Sequence, residues 1–234
     1  MKKFAILIIA TNQYRGMAQS LIESIDNFYS PEGEKDIFIF SDKNEFKSTS
    51  ANIIFNKIDH EQWPYVTLKR FEYFYKVKEK LKSYDQVIYM DCDLEIVENI
   101  CFPNSPLIGV MHPAKHIWNN FWDVEKNPKS KAFIPENSDG SSVYCQGCLW
   151  GGGGKEISKL VGVLKKNVEI DFNNDVIAKW HDESHLNNYF YNNKEDLLIL
   201  KSSYCYPENW NLPIKKLIIH KDKSMENFPR HQGK

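Results

Sequence analysis

The chain lacks a patterned set of cysteines and has no excess of either charge. Its five cysteines, among 234 residues, are an odd number without regular spacing. That argues against the disulfide framework of a small secreted domain. No stretch approaches the ~18 consecutive apolar residues that a membrane span requires. The start, Met1-Lys2-Lys3 followed by Phe4 to Ala10, imitates a signal peptide but has only a short apolar run and no small-residue cleavage site, so it reads as a first strand. Thirty basic and thirty-one acidic residues leave a net charge of −1. Such a balance does not draw a protein to nucleic acid or to anionic membrane. Internal repeats, low-complexity linkers and clean boundaries are missing too, so the length reads as one domain with a substantial core.

What the chain does have is aromatic surface, at 14% of residues. Tyr and Trp carry flat faces with a polar handle, useful in a core and equally against a sugar ring. Strand-like and helix-like segments alternate. Phe4–Ala10, Asp36–Ser41, Ile53–Ile58, Val87–Asp91 and Leu107–Met111 read as strands, with Val143–Leu149, Leu197–Leu200 and Leu217–His220 later. Helical spacing runs through Met17–Phe28. It is stronger over Thr67–Tyr84, where Leu68, Phe71, Phe74, Tyr75 and Leu81 share a face. Lys155–Lys166 and His185–Tyr191 read as later helices. This order predicts an α/β class with a mostly parallel central sheet flanked by helices. Residues 112–142, rich in Asn, Ser, Lys and Pro, read as a long excursion, and loops of that length usually serve function.

The most informative feature is Val87-Ile88-Tyr89-Met90-Asp91-Cys92-Asp93, two carboxylates at the end of an apolar run. Ligands of open α/β sheets bind just past the carboxyl ends of strands. Two carboxylates there repel unless something positive joins them. A divalent cation carrying a phosphate does so, since hard ions such as Mg²⁺ or Mn²⁺ share oxygen ligands with substrate phosphates. The plainer alternative is a helix cap and a turn residue.

Trp180-His181-Asp182-Glu183-Ser184 packs an aromatic, an imidazole and two acids into five residues. The acids answer a helix dipole, or one of them faces positive charge on a reacting centre while the other orients hydroxyls. Sugar transfer needs the latter, because its transition state resembles an oxocarbenium ion. Cys145-x-x-Cys148 lacks a second pair and reads as buried small residues rather than a zinc or redox site. Gly151 to Gly154 either cradles phosphate at a helix start or lets backbones approach closely. His112-Pro113 ends a strand, Arg70 lies on the Thr67 helix, and Trp63-Pro64 has the look of a hydrophobic staple.

Read together, these blocks resemble glycosyltransferase family 6, which contains the blood-group A and B transferases and the α-1,3-galactosyltransferase, with shorter bacterial members. Trp180 to Asn187 resembles the family signature. Ile9 to Tyr14 is similar to its first-strand segment, and Trp63 to Phe71 to its tryptophan-to-arginine block. Met90 to Asp93 falls at its D-x-D, Val110 to Pro113 at its L-H-P, and Phe133 to Glu136 at its Y-I-P. Gly147 to Gly152 falls at its glycine-rich block, and Tyr204 to Trp210 at its late acceptor-side loop. The resemblance implies a GT-A type fold and retaining transfer of galactose or N-acetylgalactosamine from a UDP-sugar to the 3-position of a galactose-type acceptor, with or without fucose. Asp91 and Asp93 would hold the cation, with Mn²⁺ favoured over Mg²⁺. Ile9, Ala10, Tyr14, Cys92 and the tripeptide Gln146-Gly147-Cys148 would border the donor, Arg70 and Asp182 would bind its sugar hydroxyls, and Lys221 or Lys223 would neutralise the leaving diphosphate. Glu183 would be the catalytic carboxylate, as nucleophile or cation stabiliser. Trp63, His112, Trp180, His181 and Glu208 would line the acceptor site with it.

Many bacterial members carry asparagines at the D-x-D and work without metal, whereas this chain keeps both aspartates. It has Ala114 after the His-Pro pair, and Lys115 to Lys131 matches poorly. Without a leader or membrane anchor, a cytoplasmic setting of bacterial or phage type is expected. Residues 1–95 are read as a nucleotide-binding half, 96–220 as an acceptor-binding half and 221–234 as a mobile tail. Two rivals stay open. A D-x-D phosphohydrolase of the haloacid-dehalogenase type wants Thr or Val where Glu95 stands. A non-catalytic glycan-binding module would use the aromatics alone.

Overall fold

A computed structural model describes residues 1–118, 121–135 and 143–223. Its centre is a seven-stranded sheet. The strands are β1 (Lys2–Ile9), β2 (Gly33–Ser41), β3 (Asn52–Lys57), β4 (Gln86–Met90), β6 (Leu107–Met111), β7 (Cys145–Gly152) and β8 (Leu197–Leu200), in the order β3-β2-β1-β4-β7-β6-β8. All neighbours are parallel except at β7, which runs antiparallel to both β4 and β6. The mostly parallel sheet expected from the sequence is therefore present.

β1 shows why the middle of the sheet reads as a continuous apolar run. A parallel strand with both faces covered needs apolar side chains on each. Ala5, Leu7 and Ile9 point into one core with Phe38, Phe40, Phe74 and Trp150. Ile6, Ile8 and Ala10 point into the other, with Ile37, Ile39, Ile88 and Met90. Helix α5 (Gly154–Asn173) covers the first face through Ile157, Leu160, Val161 and Leu164, and α1 (Arg15–Phe28) covers the second through Leu21, Ile22 and Ile25.

The helix predicted over Thr67–Tyr84 is instead three short pieces, α2 (Tyr65–Leu68), α3 (Arg70–Tyr75) and α4 (Lys78–Leu81). The cause is visible in the spacing. Leu68, Phe71, Phe74 and Val77 are all buried and recur every third residue, the period of a tighter 3₁₀ winding. The backbone follows, with Lys76 N–H donating to Tyr73 O and Val77 N–H to Phe74 O. α5 runs beyond the expected Lys166, and α6 (His181–Asn192) starts four residues before the expected His185. The glycine run belongs to sheet packing. Gly152 has φ +151°, and a Cβ there would sit 2.0 Å from Pro106 O, while one on Gly151 would sit 2.4 Å from Val87 O. β7 thus takes glycine because its neighbours leave no room for a side chain.

A second, three-stranded sheet was not anticipated. It joins β5 (Leu94–Ile96), β9 (Tyr206–Pro207) and β10 (Ile218–His220) in the order β5-β10-β9. The excursion after β6 forms a small satellite core, with Val124, Ile134 and Tyr144 packed beside Phe121, Trp122 and Tyr191. Glu136 of the Y-I-P block and the tail beyond Lys223 lie outside the described residues. No helix among the described residues is long and apolar enough to cross a membrane.

Candidate active site

Asp91 and Asp93 leave the carboxyl end of β4 and open into a cavity of about 700 Å³. Ile9, Ala10, Tyr14 and Cys92 line it, as do Glu208, Lys221 and Lys223. A smaller cavity of about 190 Å³ is lined by Gln146, Gly147, Cys148, Trp180, His181, Asp182 and Glu183. Trp63, Thr67, Arg70, Asp91 and His220 border both. The two together are of the size that takes a small ligand. Nearly all the residues singled out from the sequence thus meet in one region.

Each carboxylate has its own cationic partner. Asp91 Oδ1 accepts from Arg70 Nη2 at 3.0 Å and from the Tyr89 hydroxyl. Asp93, only 1% exposed, meets Lys223 Nζ at 2.6 Å and His220 Nε2 at 3.2 Å through Oδ2. Burial works against its charge, but His220 and Lys223 outweigh that and hold Asp93 well below the usual carboxylate range. His220 is pushed the other way, up to about 10: burial opposes its charge and Asp93 more than restores it.

Arg70 ties the two cavities together. Its guanidinium is buried, lies 4.4 Å over the Tyr89 ring, and meets Asp182 Oδ2 at 2.6 Å as well as Asp91. The Asp182 carboxyl is pushed up to about 6, burial winning over the attraction of Arg70. Glu183, the next residue, accepts from Tyr144 Oη at 2.5 Å and from the Gly147 N–H at 2.7 Å. A Cβ at 147 would press on the Glu183 side chain, lying 3.2 Å from its Cβ and 3.3 Å from its Oε2. Desolvation pushes Glu183 up to about 7 although both hydrogen bonds favour its charge. A carboxylate with that value changes charge near neutrality, which is where catalytic groups are commonly tuned.

The remaining candidates divide. Trp180 is exposed and its indole N–H donates to Asp123 Oδ2 at 2.9 Å, while His181 packs edge-on against Trp63 with ring centres 4.8 Å apart. Cys148 is buried at the wall of the smaller cavity. Glu208 pairs with Lys221 at 2.7 Å on the wall of the larger cavity, away from Trp180 and Glu183 in the lining. His112 borders neither cavity. It stacks on Phe121, and burial drives it down to about 4, so it stays neutral. Its ring edge meets Tyr144, so it stands behind the tyrosine that holds Glu183.

Sequence reasoning missed Tyr89, Tyr144 and His220. His220 carried a usable signal: it ends a short apolar strand, much as Asp91 directly follows one. A divalent cation fits the cluster it completes. One ligand atom each from Asp91, Asp93 and His220 lies within 4.8 Å of the others. Asp93 Oδ1 is buried and has no hydrogen-bond partner among the described residues, an unusual state for a carboxylate oxygen.

A family model for glycosyltransferase family 6 matches residues 4–228, and the chain belongs to that family. Its seven-stranded mixed α/β architecture is the GT-A type expected of such enzymes. Over 228 residues it is 30% identical to the O-antigen biosynthesis glycosyltransferase WbnI of Escherichia coli, covering 95% of this chain and 96% of that protein. It is 28% identical to the histo-blood group ABO system transferase 1 of Rattus norvegicus, over 68% of this chain and 47% of the relative. It is 23% identical to the globoside alpha-1,3-N-acetylgalactosaminyltransferase 1 of Homo sapiens, over 87% of this chain and 60% of the relative. The chain therefore spans about half of the animal transferases it matches. Membership sets it among glycosyltransferases, which take a nucleotide-sugar donor and a glycan acceptor, and not among the phosphohydrolases or non-catalytic modules left open by sequence.

Proposed function

We propose that the chain is a retaining α-1,3-glycosyltransferase that moves galactose, or less readily N-acetylgalactosamine, from UDP to a glycan ending in galactose, with or without a neighbouring fucose. The observation that carries this reading is Arg70, which joins Asp91 of the D-x-D to Asp182 beside Glu183. A diphosphate at the aspartates and a sugar at Glu183 would then belong to one bound molecule. The setting we infer is cytoplasmic, with residues 1–95 contributing most of the nucleotide side.

Asp91 and Asp93 would hold the cation, Mn²⁺ by preference, and the ion would supply neutralisation of the diphosphate. Tyr14 would border the uracil, and Lys221 and Lys223 would meet the departing phosphate charge. Arg70 and Asp182 would fix the sugar hydroxyls. Glu183, aimed by Tyr144 and the Gly147 N–H, would face the anomeric carbon as positive charge develops there. A charge so placed stabilises the transition state more than the ground state. Cys148 and Gln146 would crowd the 2-position of the sugar, and overpacking of this kind costs ~1–3 kcal/mol.

The test is UDP release from UDP-galactose, UDP-N-acetylgalactosamine and their gluco epimers, with Mn²⁺ or chelator, across galactosides with and without fucose. Product linkage and anomeric configuration are read by NMR. An α-1,3 product from a UDP-galacto donor, lost in chelator, is expected. An inverted product, or turnover from none of the UDP-sugars, would overturn the reading.

A further inference from the structure

Two buried acceptors in one small cluster have no hydrogen-bond partner among the described residues: Asp93 Oδ1 and Gln146 Oε1. Between them stands His220. Its Nε2 lies 3.2 Å from Asp93 Oδ2 and its Nδ1 lies 3.1 Å from Gln146 Nε2. The imidazole is not there by chance of a loose tail. His220 pairs with Leu94 in the β5–β10 ladder, Leu94 directly follows Asp93, and the Lys221 N–H donates to Asp93 O at 2.9 Å. Sheet register therefore fixes the ring beside the D-x-D.

A bound cation gives the first of these orphans its partner. Asp93 Oδ1 becomes a ligand. His220, giving its Nε2 lone pair to the ion, must carry its proton on Nδ1. That N–H needs an acceptor, and the side-chain amide of Gln146 supplies one when its oxygen faces the ring. The two ends of an amide are nearly isosteric, so the turn moves no other atom. Metal-bound histidines are commonly oriented in this way by the partner of their second nitrogen. Octahedral ligands of a small ion lie about 3 to 4.2 Å apart, so a cluster spanning 4.8 Å needs only slight closure. Lys223 Nζ, now 2.6 Å from Asp93 Oδ2, is the group that gives way.

We propose that His220 is the third protein ligand of the cation held by Asp91 and Asp93, with Gln146 fixing its tautomer. The proposal rests on the cation reading above and adds a consequence for ion choice. Imidazole is a poor ligand for Mg²⁺ and a good one for first-row transition ions. The site therefore selects Mn²⁺ and its neighbours over Mg²⁺ through His220. It also links Gln146, at the sugar side, to ion affinity.

Mn²⁺ binding is followed by electron paramagnetic resonance, with and without UDP and with Mg²⁺ as competitor. Electron spin-echo modulation reports any nitrogen bound directly to the ion. Wild type is expected to show ¹⁴N coupling that changes on ¹⁵N-histidine labelling. His220→Ala should lose the coupling, bind Mn²⁺ at least ~10-fold more weakly and discriminate less against Mg²⁺. Gln146→Leu should keep the coupling while weakening Mn²⁺ by ~10- to 100-fold. Circular dichroism and melting curves confirm that both variants fold, and His220→Gln serves where the alanine variant does not. Mn²⁺ binding that is lost in Asp93→Asn, yet lacks nitrogen coupling and is unchanged in His220→Ala, overturns the proposal and leaves the cation reading standing. A wild type that binds no Mn²⁺ even with UDP overturns both.

Discussion

Replacing Tyr144 by Phe removes one oxygen and tests the assignment of Glu183 without touching the carboxylate. The ring should stay where it is, since it is buried and packs edge-to-face against the stacked pair His112 and Phe121. What disappears is the O–H that donates to Glu183 Oε1 at 2.5 Å. Burial and the Glu183 charge hold that phenol protonated far above its ordinary value, so it is a donor across the working pH range. A hydrogen bond to a charged group contributes ~1.5–3 kcal/mol, and one pKa unit corresponds to about 1.4 kcal/mol. The Glu183 carboxyl, at about 7 in wild type, should therefore rise by roughly one to two units. A nucleophile or cation stabiliser must be ionised, so kcat/KM climbs with pH through that value, and the acid limb of the profile reports it in the free enzyme. In the variant the limb should move from near pH 7 to roughly pH 8–9. At pH 7 the rate should fall by roughly 7- to 80-fold, and most of the loss should return by pH 9. UDP release from UDP-galactose provides the measurement. An acid limb that stays in place, or a deficit as large at pH 9 as at pH 7, would refute the role of this hydrogen bond and with it the placement of Glu183 as the ionised group.

Three further outcomes are expected. Asp91→Asn with Asp93→Asn should abolish metal-stimulated turnover while the circular dichroism spectrum stays native; full activity of wild type in excess chelator would contradict it. Arg70→Gln leaves the buried Asp182 without its ion partner, and breaking such a pair costs ~3–5 kcal/mol. The loss should appear in denaturant melts at pH 8 and shrink toward pH 5, because Asp182 has its proton to take up near 6; an equal deficit at both pH values would show that the pairing is not the cause. Cys148→Gly should narrow the preference for UDP-galactose over the N-acetylated donor, and a wild type that already prefers the latter would remove the steric basis.

Much of this was readable in the order of residues because it depends on local pattern. The apolar runs of β1 and β4 announce a sheet covered on both faces, and the acids after β4 announce its carboxyl end. The Thr67 segment misled because its apolar residues satisfy one continuous helix of 3.6 residues per turn nearly as well as the three short helices, joined by three-residue turns, that it adopts. Of the sheet of β5, β9 and β10 only β10 was read as a strand: segments of two and three residues carry almost no periodicity, and their pairing is decided by partners far away in the chain. His220 was missed for the same reason. Its meaning comes from Asp93 and Gln146, not from its neighbours. His112 shows the converse, since a motif match marks it while the fold sets it behind Tyr144.

The pairing of His220 with Asp93 spans 127 residues. On the ribosome, where chains grow at ~5–20 residues per second, that separation amounts to roughly 6–25 s between the appearance of the two partners. During that interval the central strands β1, β2, β3 and β4 can already be assembled, with the two aspartates exposed at an unfinished rim. Only arrival of β10 closes it. A nascent chain interrupted anywhere between Asp93 and His220 would carry the whole D-x-D and still lack the wall that completes the cluster.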